Sequence, residues 1–415
     1  MFPFLALMPL MLQTFFSLLA DWLFWVIVLL VALQYRRMAA ASWQLFDLPG
    51  EPVWPSVLIA AGFGIAGGFF ASILIVIVGI SVLELGISYL WITALILMLF
   101  QQRFLCFAYA GGVLSLSRLL FGFPEVSVAQ LMGLVAILHM VESLLILASG
   151  HLEPLPVYVR TGQGRVVGGY NLQKFWPLPL IALLAWMVPG EEIIKGAVHM
   201  PDWWPLIKTE LLQGKGEPLY VMMPVVAALG YGDIAITAAP GEKTRTAALE
   251  LAVYSLILLL MSIAASHLPA VSFVPALFGP LGHEFLIRAG QRRELRGQPV
   301  FVQPERGVMV LHVLRGSPLQ KAGVRRGDIL LSVDGCPVDG AHEVREILLE
   351  TAGAVEVEYL SGKKREWRRS LAPRSGGEPL GFVPAPGIYE TSFLEMAGSV
   401  SPLRRWWSRA RKRFR

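Results

Sequence analysis

The chain has 415 residues, of which 55% are hydrophobic and 16% charged, and its mean hydropathy is +0.59. A soluble domain carries about 25% charged residues, so this composition excludes an ordinary soluble protein and indicates a polytopic membrane protein. Charge is uneven: Met1 to Ile287 holds 12 Lys/Arg against 16 Asp/Glu, and Arg288 to Arg415 holds 23 against 14, so a weakly charged apolar part precedes a basic soluble part.

A helical span needs about 20 mostly apolar residues, or fewer inside a bundle. Eight stretches qualify: Leu12 to Leu33, Pro55 to Ile80, Gly86 to Phe100, Phe104 to Phe121, Ser127 to Ala148, Phe175 to Val188, Leu219 to Ile236 and Ala247 to Leu268. A ninth, Pro269 to Ile287, is interrupted by Pro275 and Pro280 and is open to crossing, re-entry or an interfacial position. The first stretch lacks a basic leader and a small-residue cleavage site and is expected to be retained as a span. Residues 1–290 are thus expected to form a transmembrane domain of eight or nine spans.

Basic residues near span ends set orientation. Arg36, Arg37, Arg103, Arg160, Arg165, Lys174, Lys243, Arg245, Arg288, Arg292, Arg293 and Arg296 alternate as required for an external N-terminus and a cytoplasmic C-terminal part, provided the ninth stretch crosses. Trp203 and Trp204 beside Pro205 fit an interfacial belt. Gly62, Gly64, Gly67, Gly68, Gly111 and Gly112 fit close helix packing. His139 and Glu142 share a helix face, and Glu84, Arg118 and Glu250 also sit in or beside apolar segments; mutual pairing is expected of them, with a transport role as the alternative.

After Gly290 the pattern becomes strand-like. Gly307 to Leu314, Asp328 to Val333, Ala354 to Leu360 and Lys364 to Leu371 read as strands, Pro318 to Gly323 as a short helix, and Ala341 to Glu350 as a helix whose apolar face carries Val344, Ile347 and Leu348. Within Gly307 to Val338, Gly316, Ser317 and Pro318 turn the chain into the short helix, Gly323 and Gly327 permit the tight backbone that leads to Asp328, and Asp334 with Gly335 reverses it. This ordered series resembles a bacterial PDZ domain, which implies an α+β module over residues 295–385 that binds peptide segments or C-termini by strand addition. The resemblance makes Ala341 to Glu350 the groove helix, with Val344 and Leu348 on its wall. Two loops compete to receive a terminal carboxylate: Gly297 to Phe301, with Pro299 and Val300, and Leu380, Gly381 and Phe382.

No enzyme, cofactor or metal is expected. His283 and Glu284 begin an H-E-x-x-H pattern, but Ile287 replaces the second His. Ser149, Gly150 and His151 lack the first Gly of G-x-S-G, Leu147 standing there. Cys106 and Cys336 show neither pairing nor ligand spacing, and fit a reducing compartment.

Residues 386–415 form a tail ending in Arg404, Arg405, Trp406, Trp407, Ser408, Arg409, Ala410, Arg411, Lys412, Arg413, Phe414 and Arg415. On a chain tethered to a membrane, this basic aromatic run is expected to meet anionic lipid rather than nucleic acid.

Beyond the PDZ part, Pro154 to Pro179, Trp203 to Pro205, the series Pro224, Gly230, Tyr231, Thr237 and Pro240, and Phe278 to Ile287 resemble the MinJ family, PDZ-bearing division-site proteins of Gram-positive rods. The resemblance implies a membrane scaffold, enriched at septum and poles, that links a DivIVA-like polar protein to a MinD-like division inhibitor. Alternatives from the residues themselves are an adaptor of a membrane protease or secretion system, or a small-molecule transporter.

Overall fold

The computed structural model describes residues 2–46, 50–161, 164–188, 197–208, 217–362, 365–387, 390 and 392–393. The membrane part begins with helices α1 (Phe4–Ala20), α2 (Trp22–Trp43), α3 (Trp54–Val78), α4 (Ile87–Phe100), α5 (Phe107–Phe121) and α6 (Val128–Ser149). Strands β1 (Leu155–Arg160), β2 (Val166–Asn171), β3 (Lys174–Val188), β4 (Glu217–Tyr231) and β5 (Ile234–Ala235) follow, then helices α7 (Pro240–His267) and α8 (Phe273–Arg296). Among the described residues, five helices are long and apolar enough to cross a membrane: α2, α3, α6, α7 and the segment Pro269–Arg296 that contains α8.

Several expectations need correction. The stretch from Leu12 to Leu33 is not one helix. Asp21 ends α1 and caps α2, its Oδ1 accepting from the Leu23 N–H at 2.8 Å. A side chain that competes for backbone donors breaks the helix here. Helix α8 also runs on to Arg296, so the strand-like region starts later than Gly290.

The larger correction concerns Phe175 to Val188 and Leu219 to Ile236. They are not helical spans but lie mainly in the long antiparallel hairpin β3–β4, in register from Lys174 opposite Tyr231 to Val188 opposite Glu217. Pro177, Pro179 and Pro224 explain this, because proline lacks the helix donor and pushes its predecessor toward extended backbone. Non-helical backbone is tolerated at membrane depth only where protein covers it. Helix α3 covers β3 along its length, while β4 stays partly exposed. Gly64 and Gly68 admit the Pro177 and Pro179 backbone, Ser72 Oγ accepts from the Ile181 N–H at 2.8 Å, and beyond the helix Ser81 Oγ accepts from the Ala185 N–H at 3.2 Å. Tyr35 on α2 takes the Phe175 N–H at 3.2 Å.

The hairpin joins two ends of the bundle. At one end Trp204 Nε1 donates to Val76 O at 2.8 Å, and Gln130 holds both Ser81 N and Ile207 O. At the other, β1, β2 and β5 form a small sheet beside a buried ionic knot. There Lys243 lies 3.0 Å from Asp233 and 3.4 Å from Glu294, while Glu294 Oε2 accepts from the N–H groups of Ile236 and Thr237.

Helices α4 and α5 are short. At 1.5 Å per residue the 14 residues of α4 reach about 21 Å, less than the roughly 30 Å of hydrocarbon. Their connection packs against the bundle: Arg103 pairs with Glu284 of α8 at 3.1 Å, and Cys106 meets His139 halfway along α6.

The anticipated pairing of buried charges also differs. Glu250 binds Arg293 through two contacts of 2.6 Å, Arg118 caps its own helix at Gly122 O, and His139 turns to Cys106.

The C-terminal module comprises β6 (Val308–Val313), α9 (Pro318–Lys321), β7 (Ile329–Val333), β8 (Cys336–Pro337), α10 (Ala341–Glu350), β9 (Val355–Leu360), β10 (Trp367–Ala372) and β11 (Phe382–Pro384). Its sheet order is β10-β9-β7-β6-β11, with β8 paired to β7. Val310, Leu319, Leu330, Val333, Val355 and Val357 form its own core, separate from the main cluster of the membrane part.

Candidate peptide-binding site

Local chemistry builds the module's turns. Ser317 Oγ accepts from the Gln320 N–H at 3.2 Å, and Pro318 occupies the first turn of α9. Gly323 and Gly327 adopt φ of +82° and +83°, a region costly for residues with a Cβ. They deliver Asp328 to a nearly buried position, where its carboxylate accepts from the N–H groups of Arg325 and Gly362 at 2.8 and 3.0 Å. Gly316, Asp334 and Gly335 also have positive φ.

The two candidate loops have different surroundings. Gly297 ends α8, its N–H donating to Arg293 O at 2.9 Å. Val300 N–H donates to Ile236 O, and Phe301 O accepts from Gly168 N–H, both at 2.9 Å. Phe301 is buried against the Tyr170 ring, while Pro299 is half-buried and Val300 exposed. This segment thus adds to the β1-β2-β5 sheet.

Leu380, Gly381 and Phe382 belong instead to the module's edge. Leu380 O accepts from Leu319 N–H and Gly381 O from Leu314 N–H. Gly381 has φ +72° and lies against Ser317, so a side chain there would meet both strain and collision. Phe382 opens β11 opposite Val313. Leu380, Val344 and Leu348 are buried in one cluster, with Phe382 and Ile347 packed on it. Arg374 closes the far end of α10 by donating to Thr351 O and Leu348 O at 2.7 and 2.8 Å. An edge strand, a left-handed turn before it and an apolar helix face are the parts that strand addition requires. Position along the chain does not distinguish the loops. Contact with α10's cluster does.

The module is tied to the membrane part on another face. Arg315 N–H donates to Glu51 Oε1 at 2.7 Å, the Arg315 guanidinium pairs with Glu153, and Tyr170 OH donates to Leu311 O. Tyr158 OH donates to Pro384 O on β11 at 2.9 Å. Burial is the largest influence on the Glu51 carboxyl and raises its pKa, but the His312 ring and the Arg315 N–H, with the charges of both, hold it below the ordinary value. Ser149 Oγ donates to Leu145 O and accepts from Trp176 Nε1, a packing arrangement. The tail Arg404 to Arg415 lies outside the described residues.

Residues 309–358 match the family described as PDZ domain. An 82-residue region, 19% of this chain, is 37% identical to 20% of HhoA from Synechocystis sp., which is named as a serine protease. A 234-residue region, 56% of the chain, is 23% identical to 55% of the cell division topological determinant MinJ of Bacillus subtilis. Both alignments span less than two thirds of those relatives. The crystal structure of the PDZ domain of the SdrC-like protein from Listeria monocytogenes is 17% identical, covering 20% of this chain and 90% of that one at a TM-score of 0.18. The chain is a multi-pass helical membrane protein carrying a PDZ domain.

Proposed function

We propose that this protein is a membrane-anchored adaptor, not an enzyme, which captures an extended segment or C-terminus of a partner beside β11. The carrying observation is the convergence of Leu380, Phe382, Val344 and Leu348 at an edge strand preceded by the left-handed Gly381. Backbone pairing along the edge would supply affinity, and the α10 wall would select side chains. Arg36 late in α2, Arg245 early in α7 and Arg296 at the end of α8 flank apolar helices in the alternation expected of cytoplasmic ends, which supports a cytoplasmic PDZ domain.

The finer reading is a division-site scaffold, with a DivIVA-like polar protein and a MinD-like inhibitor as partners and septal or polar enrichment. The 23% identity to MinJ over 234 residues supports it. The basic aromatic tail would hold the module near anionic lipid.

The test is partner capture by the full-length protein in membranes, combined with fluorescence localisation in dividing cells. Leu348→Asp places charge in the buried wall and should abolish capture, whereas Leu349→Asp, at a position 87% exposed on the same helix, should not. Normal capture by a folded Leu348→Asp protein would remove the groove from this account. Uniform membrane fluorescence would remove the division role while leaving an adaptor.

A further inference from the structure

We propose that Cys106, His139 and His283 form a transition-metal site, taking a d10 ion of borderline or soft character, Zn2+ or Cu+, where α5, α6 and α8 converge. Cys106 Sγ lies 3.2 Å from His139 Nε2 and 3.8 Å from His283 Nε2. One ligand atom from each residue falls within 4.8 Å of the other two. Zinc bonds of about 2.3 Å to sulfur and 2.0–2.1 Å to nitrogen place one sulfur and two nitrogens roughly 3.3–3.6 Å apart in a tetrahedral site. Small side-chain movements therefore suffice.

The surroundings prepare these groups as ligands. His139 Nδ1 lies 2.7 Å from Val135 O. A carbonyl only accepts, so the proton sits on Nδ1 and the Nε2 lone pair faces the sulfur, the second-shell pattern typical of a metal-bound imidazole. Cys106 caps α5, and Ala108 N–H points at its sulfur at 3.4 Å. A metal-bound sulfur can accept that N–H.

His283 supplies an independent observation. Its Nδ1 is buried with no hydrogen-bond partner among the described residues. Whichever nitrogen of His283 carries its proton, Nδ1 stays unpaired, and with the proton on Nδ1, as a metal at Nε2 requires, the Nε2 lone pair faces the sulfur. Metal bonding at Nε2 would offset that cost. Tyr109 and Tyr254 rings stand edge-on or tilted to His283, and Tyr254 is edge-on to His139, enclosing the site. The adjacent Glu284 is held by Arg103, Arg288 and Tyr109, so its carboxylate is committed elsewhere.

Binding is coordination without redox change. The Cys106 S–H bond breaks, its proton passes to solvent, and the sulfur lone pair forms the metal bond, leaving soft sulfur and two imidazoles suited to Zn2+ or Cu+.

The experiment uses the full-length protein in detergent, in a Cys336→Ser background that removes the exposed second thiol. After chelator treatment, ZnCl2 or anaerobic Cu+ is titrated against a chromophoric competitor, and bound metal per chain is measured. One equivalent should bind. Co2+ should give a thiolate-to-cobalt charge-transfer band, and Cys106→Ser should abolish it. Cys106→Ser and His283→Gln should each weaken binding by about tenfold or more, while His312→Gln in the PDZ domain should leave it unchanged. The tighter of the two ions identifies the metal. Less than stoichiometric metal with no cobalt band in the Cys336→Ser protein overturns the proposal, whatever the other variants do. So does unchanged affinity in His283→Gln.

Discussion

Replacement of Gly68 by alanine tests whether a strand hairpin truly lies against α3. An added Cβ would stand 2.9 Å from Pro179 Cδ and closer still to the Pro179 carbonyl oxygen, which belongs to backbone and cannot rotate away. Overpacking of this kind costs about 1–3 kcal/mol. Alanine also gains up to about 1 kcal/mol of helix propensity over glycine. Gly62→Ala, on the same helix with nothing within 4 Å of its added Cβ, isolates that gain. Because propensity is common to both variants, their difference should be the clash alone, about 1–3 kcal/mol against Gly68→Ala. Unfolding midpoints of the detergent-solubilised full-length protein, compared at one scan rate, give the ranking without assuming reversibility. Ser72→Ala should also destabilise, by about 1–3 kcal/mol, since it orphans the buried Ile181 N–H. Equal midpoints for Gly62→Ala and Gly68→Ala would refute the packing of β3 on α3, and with it the assignment of residues 174–188 to a strand.

Glu51, held below its ordinary pKa, should stabilise the PDZ contact fully above its unfolded-state value and lose that effect as pH falls through its lower folded-state value. Wild type should therefore melt above Glu51→Gln at pH 7 and converge with it in acid; a gap independent of pH would refute the linkage. A cytoplasm-active reporter fused at the C-terminus should be bright and a periplasm-active one dark, and the reverse would turn the PDZ domain outward. A peptide spanning Arg404 to Arg415 should bind anionic vesicles and release with salt, whereas equal binding to neutral vesicles would remove the electrostatic anchor.

Much of the PDZ domain is legible because its determinants are local. The helix expected at Ala341 to Glu350 has those bounds, and the strand expected from Gly307 to Leu314 runs Val308–Val313. Turn geometry at Ser317, Gly323 and Gly327 depends on a few adjacent residues, so residue order specifies it. Membrane association is similarly a property of composition, and among the described residues five helices carry the necessary length and hydropathy. What hydropathy cannot separate is a buried strand from a span, since both are continuous apolar runs. Pro177 and Pro179 were the available signal at β3, and their meaning depended on Gly64 and Gly68 lying more than a hundred residues earlier. The same holds for the sites. Val344 and Leu348 were readable from helix period, but that Leu380 to Phe382 lie beside their cluster, and Gly297 to Phe301 do not, needed the sheet order that sets β11 beside β6. Cys106 stands 33 residues from His139 and 177 from His283, beyond any spacing motif. Neighbouring residues settle backbone turns because steric and hydrogen-bonding constraints act over a few bonds. A ligand cluster exists only where packed helices bring distant side chains within a few ångströms, and that distance belongs to the tertiary structure.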